Sequence, residues 1–171
     1  MRITAAAVTA AAAAAVFSSC ASTFESPEPP GSLAGADPCT VLSGEELMVM
    51  FGVPTPGEPV RDATGSGCRF EHPEFQLAIT KHEGRGLQYW QEHRADIGLF
   101  QEAQIGEHKV LKLIPEESIG QRVCNQSVVV GTGSINVQVA YAPEALEGTA
   151  DAAAACQKAW EIAWPIEGKF S

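Results

Sequence analysis

Five cysteines, at positions 20, 39, 68, 124 and 156, are the residues of this chain with the most chemistry open to them. No CxxC, CxxxC or CxxH pair occurs, so the usual zinc and dithiol spacings are missing. Four of the five are spread through the body of the chain, and Cys20 stands alone near its start. In an exported domain, four scattered cysteines imply two disulfides; in a cytosolic one they would be buried thiols. The address of the protein therefore decides what its cysteines are.

The other reactive side chains form no recognisable site. Each of the four histidines has a glutamate beside it: Glu71-His72, His82-Glu83, Glu92-His93 and Glu107-His108. Neighbouring side chains point to opposite faces of a strand and do not meet on a helix, so these pairs do not converge on a metal. No HxH, HExxH or Asp-rich calcium loop is present, and surface histidines in an acidic protein explain the pattern. Ser66 and Ser134 are read as lying in Gly-flanked turns, but GSG and GSI are not a nucleophile elbow. Gly131-Thr132-Gly133-Ser134 is followed by the strand-like INVQVAY rather than a helix, so it reads as a hairpin turn and not as a phosphate loop. Nothing singles out one carboxylate pair among 21 acidic residues for glycosidase chemistry. No catalytic residue, metal or cofactor is expected.

Charge narrows the partners. Acidic residues outnumber basic ones by 21 to 11, a net charge of −10, with no basic cluster to grip a phosphate backbone or an anionic membrane. Nucleic acid is excluded as a partner on that ground. A length of 171 residues and 45% hydrophobic content fit one globular domain with some chain to spare.

The spare length lies at the start. Met1-Arg2 precedes an uncharged run from Ile3 to Phe17, and small residues follow. That run is Ala-rich and shorter than the ~20 residues that span a bilayer, so it reads as an export leader rather than a retained helix. Cleavage could follow Ala21, as at an ordinary signal site. Alternatively, Phe17-Ser18-Ser19-Cys20 resembles the bacterial lipobox, in which the cysteine thiol receives a diacylglyceryl group and the bond before it is cut. Phe17 stands where that pattern prefers Leu, Val or Ile. Cysteine parity favours the lipobox, because it uses Cys20 and leaves four thiols to pair. The expected organisation is a leader over 1–19, then a lipidated Cys20 with a Pro/Ser tether to 36, and then a folded domain over 37–171. The tether would reach roughly 20–25 Å as a flexible coil.

Within the domain, Ser43 and Glu46 make a capping box, Leu42 and Leu47 a hydrophobic staple, and Gly52 a stop. This predicts a first helix burying Leu47, Met50 and Phe51. VPTPGEP at 53–59 then turns the chain. Alternation predicts a hairpin over 67–82, strands over 101–105 and 109–114, and a second hairpin over 123–130 and 135–141. Helical spacing of Leu87, Trp90, Arg94 and Ile97 predicts a helix over 86–98. The Ala-rich segment 149–164 predicts a last helix with Ala152, Cys156, Ala159, Trp160 and Ala163 as its stripe, ended by Pro165. The fold class is α+β: a single domain with an antiparallel sheet packed with helices. Trp90, Trp160 and Trp164 could line an apolar pocket, although Trp90 and Trp160 fall on stripes that core packing alone would bury.

With these elements placed, the chain resembles the actinobacterial secreted lipoproteins known as domain of unknown function 3558. Cys20 and its tether, DPCTVLSGEEL at 37–47, CRF at 68–70, CNQSVVV at 124–130 and ACQKAWEIA at 155–163 carry the resemblance. Val41 and Phe70 replace the family's more common Leu and Trp. The resemblance implies an envelope-exposed α/β domain with no assigned activity. A more distant similarity is to the PsbP-type α/β sandwich. Of three possible connectivities, Cys39 with Cys68 and Cys124 with Cys156 are favoured, each closing about 30 residues and contributing ~3–4 kcal/mol. The function expected is a non-enzymatic lipoprotein, anchored to the outer face of the plasma membrane through Cys20 and acting on an envelope partner. The alternative is a carrier or sensor for a small hydrophobic ligand, and a secreted hydrolase is a third.

Overall fold

The computed structural model describes residues 31–62, 65–119, 121–142 and 152–171. Seven strands form one sheet: β1 (Glu58–Asp62), β2 (Gly65–Glu71), β3 (Phe75–His82), β4 (Ile97–Ile105), β5 (His108–Pro115), β6 (Val123–Val130) and β7 (Gly133–Tyr141). Their order is β1-β2-β3-β7-β6-β5-β4, and every neighbouring pair is antiparallel. Short hairpins explain most of that order, and the pairing of β3 with β7 closes the two halves into one sheet.

Two helices lie on one face. Helix α1 (Gly44–Phe51) starts at the expected capping box, with Ser43 accepting from the Glu46 amide and Glu46 returning to the Ser43 amide. Gly52 ends it in the left-handed conformation at φ 67°. Its buried face is narrower than the spacing predicted. Leu47 is buried and Phe51 half-buried, whereas Met50 is exposed beside Met48 and Val49. Eight residues are little more than two turns, so one residue makes the contact.

Helix α3 (Ala152–Glu167) covers the middle of the sheet, burying Ala155, Cys156, Ala159, Ile162, Ala163 and Ile166 against β6 and β7. Small residues on this face let the helix approach the strands closely. Pro165 does not end the helix. It sits in the last turn, where the amide it lacks costs one hydrogen bond. Burial of Ile166 and the contacts of Glu167 hold the turn beyond it.

The opposite face carries helix α2 (Leu87–Glu92) and a 3-10 turn over Arg94–Asp96. The helix expected to run to Gly98 stops at His93, which stacks on Tyr89 and contacts its carbonyl through Nδ1. Ile97 already belongs to β4, where it packs with Leu87, Trp90 and Phe100 on Leu111, Leu113 and Val129. The Pro-rich turn is also shorter than its sequence suggests: Glu58 to Asp62 pair with β2 along the sheet edge.

Both disulfides form: Cys39 with Cys68, and Cys124 with Cys156. They connect sequence separations of 29 and 32 residues. Packing also reaches back into the segment expected to be a tether, since Leu33 is part of the core.

Candidate functional site

Register turns the sheet into rows of side chains that share a face. On the face under α3, the pairs Leu99 with Ile114 and Cys124 with Val139 flank one side, and a row of Ala103, Val110, Val128 and Ile135 flanks the other. Both flanks are apolar. The row between them is Gln101 on β4, Lys112 on β5 and Gln126 on β6, before Val137 restores the apolar pattern on β7. Three polar side chains in line, from exposed Gln101 on the edge strand to Gln126 under α3, interrupt an otherwise hydrophobic face.

A groove of about 640 Å³ opens above this row. The three polar side chains form its floor, Ala103 and Glu102 its outer edge, and Cys156, Gln157 and Trp160 of α3 its overhang. Gln126 is 3% exposed. Its Nε2 lies a long 3.5 Å from the Cys156 carbonyl. Oε1 is buried and accepts no hydrogen bond among the described residues. Leaving such an acceptor unfilled costs about 1–3 kcal/mol.

Lys112 is half-buried in the floor and forms no ion pair among the described residues. The carboxylates nearby are already engaged. Glu102 takes Lys109 at 3.1 Å and Gln91 at 3.1 Å, and Glu161 takes Lys158 at 2.8 Å. These hydrogen bonds, from Gln91 foremost to Glu102 and from Lys158 foremost to Glu161, hold both carboxyls below their ordinary range. Lys112 is thus the groove's cation without a counter-charge.

The far face of the sheet holds a different polar cluster. Asn125 Oδ1 accepts from Asn136 and Gln138 at 3.1 Å each, and its Nδ2 donates to the Leu113 carbonyl at 3.2 Å. Around this knot, Ser127 Oγ, Asn136 Oδ1 and Trp90 Nε1 are buried without a hydrogen-bond partner among the described residues.

The tryptophans expected to share a pocket are separated by the sheet. Trp90 packs on Leu111 and Leu113, Trp160 borders the groove on the other side, and Trp164 is 58% exposed. Of the three, only Trp160 meets the groove.

The histidines are not all on the surface as expected. His82 and His108 are buried. His108 is paired through Nδ1 with Glu167 Oε1 at 2.9 Å, not with its sequence neighbour Glu107. Glu167 also accepts from the Glu107 amide and the Ser171 hydroxyl, and the His108 bond foremost holds its carboxyl below the usual range. Gly106, with φ at 54°, lies so close to Glu167 that a side chain there would collide with the carboxylate. A residue 59 positions away gave no sequence signal for this contact.

Ser66 and Ser134 lie within β2 and β7 rather than in turns, and Ser134 Oγ donates to the Arg85 carbonyl at 2.8 Å. Among the described residues, no three His, Cys, Asp or Glu side chains gather as a metal site would need, and no helix is long and apolar enough to cross a membrane. Cys20 lies outside the described residues.

A seven-stranded antiparallel sheet with helices on both faces, pinned by two disulfides, defines a single disulfide-bonded α+β domain. The chain belongs to the family described as Protein of unknown function (DUF3558), whose model it matches over residues 4–166. It matches no curated protein and no solved structure.

Proposed function

We propose that this protein is a lipid-anchored envelope lipoprotein of the actinobacterial type, a non-catalytic binding domain held at the outer face of the plasma membrane by Cys20. The observation that carries this reading is the cysteine pairing. Cys39, Cys68, Cys124 and Cys156 are all consumed in two disulfides, which fit an oxidising compartment and leave Cys20 over. The residues before Cys20 supply a use for it. Binding, in turn, is supported by a groove that offers a cation, amides and an indole, the groups of recognition. Trp160 in the groove wall favours, as a second reading, a carrier or sensor whose ligand has an apolar part.

Intact-mass measurement of protein extracted from its native membrane tests the anchor. The expected product begins at Cys20, carries a lipid adduct there, and retains four oxidised cysteines. A mature N-terminus without lipid would refute the anchored reading.

A further inference from the structure

The chain has five lysines and almost twice as many acids as bases, so every lysine has carboxylates to choose from. Four of the five take one: Lys81 with Glu83, Lys109 with Glu102, Lys158 with Glu161 and Lys169 with Glu46. The exception is Lys112, which is drawn into the floor of the groove. Its register neighbour Gln126 is buried with an unfilled acceptor. A half-buried lysine with no acid partner among the described residues leaves the groove's cation unmatched in a strongly acidic chain. A bound anion would match that cation.

We infer that the groove binds a small molecule bearing one carboxylate on a flat, apolar body. This deepens the binding reading above and is independent of the lipid anchor. The carboxylate pairs with Lys112 Nζ, and the carboxamide groups of Gln101 and Gln157 border the same space. The flat body lies against Trp160, with the small side chains of Ala103 and Ala153 leaving room for it. A single negative charge matches a single ammonium. A phosphate dianion would bring a second charge, with no second cation in the groove, into a protein already at −10. A wholly apolar ligand would leave the Lys112 charge unmatched.

The test uses the full chain, titrated with 4-hydroxybenzoate and, in parallel, with the neutral 4-hydroxybenzamide, and followed by NMR of side-chain amides and indoles. The acid should shift the Gln126 carboxamide and Trp160 indole resonances saturably. The amide should bind roughly tenfold or more weakly, the scale of one charge-assisted contact. Lys112→Met should lose a similar factor without loss of thermal stability, and Lys112→Arg should largely retain binding. Equal affinity for acid and amide, undiminished binding by the Lys112→Met chain, or shifts confined to residues outside the groove would overturn the inference. Those results would leave the anchor untouched, because the mass measurement decides it separately.

Discussion

Helices α1 and α3 cover the same face of one sheet, yet different physics holds them there. Helix α3 has 16 residues and buries seven of them, one being Glu167. Its anchorage is mostly packing, with a disulfide at Cys156 and the enclosed His108–Glu167 pair near its end. Helix α1 has eight residues and buries one. It depends instead on local devices: a capping box, a glycine stop, the Cys39–Cys68 bond just before it, and the partly exposed Lys169–Glu46 pair at 2.7 Å. A long helix can rely on burial, whereas a two-turn helix buries too little and must be fastened at its ends.

The disulfides put this contrast to its strongest test. Their loops are nearly equal, so the denatured-chain contribution is nearly equal, ~3–4 kcal/mol each. Their native settings differ, because Cys124 and Cys156 are buried while Cys39 is only half-buried. Replacing Cys124 and Cys156 together by Ala should lower Tm by roughly 10 °C or more. The same change at Cys39 and Cys68 should cost less in scanning calorimetry. Equal losses would mean that chain entropy alone sets the value of both bonds.

Leu47→Ala comes next, at ~2–4 kcal/mol, because it removes the one buried side chain of α1. Hydrogen exchange should then show α1 amides losing protection while α3 amides keep theirs. Loss of protection in both would show that the two helices open as one unit.

Glu167→Gln should cost ~2–3 kcal/mol by removing the charged partner of a histidine that is 0% exposed. Since the folded carboxyl of Glu167 is depressed, its contribution is present above the ordinary carboxylate range and fades as pH falls below it. The variant should therefore show a flatter decline of Tm with acid than the parent chain.

The Glu46 carboxyl is drawn from 4.5 to about 2, first by the Lys169 hydrogen bond and then by those of Ser43. Its contribution is complete above pH 4.5 and lost as pH falls towards 2. Solvent screening limits it to about 1 kcal/mol. Lys169→Met should remove part of this acid sensitivity, and acid titration of Tm would measure it. Trp164→Gln, at an exposed position of α3, should change stability by less than ~0.5 kcal/mol.

Local rules made much of the fold legible. Ser43, Glu46 and Gly52 define α1 within a few residues of one another, and the β6–β7 hairpin follows from alternation around Gly131. Where the structure departs from local rules, contacts from afar prevail. Ile97 kept a helical spacing but was claimed by β4 through pairing with Pro115. Pro165 looked like a stop, but Ile166 found the core. Met50 fitted a buried stripe on a helix too short to bury it.

The candidate site was hardly legible. Lys112 and Gln126 look unexceptional in KLIPEES and CNQSVVV, and their neighbours in the sequence carry no sign of the groove. By itself the sequence determined most of the elements, the cysteine framework and the balance of charge, because capping, alternation and parity are short-range or countable. Only the tertiary structure decided that Gln101, Lys112 and Gln126 stand in one row beneath Trp160. Strand register and helix placement are set by the packing of the whole sheet, and no local stretch encodes them.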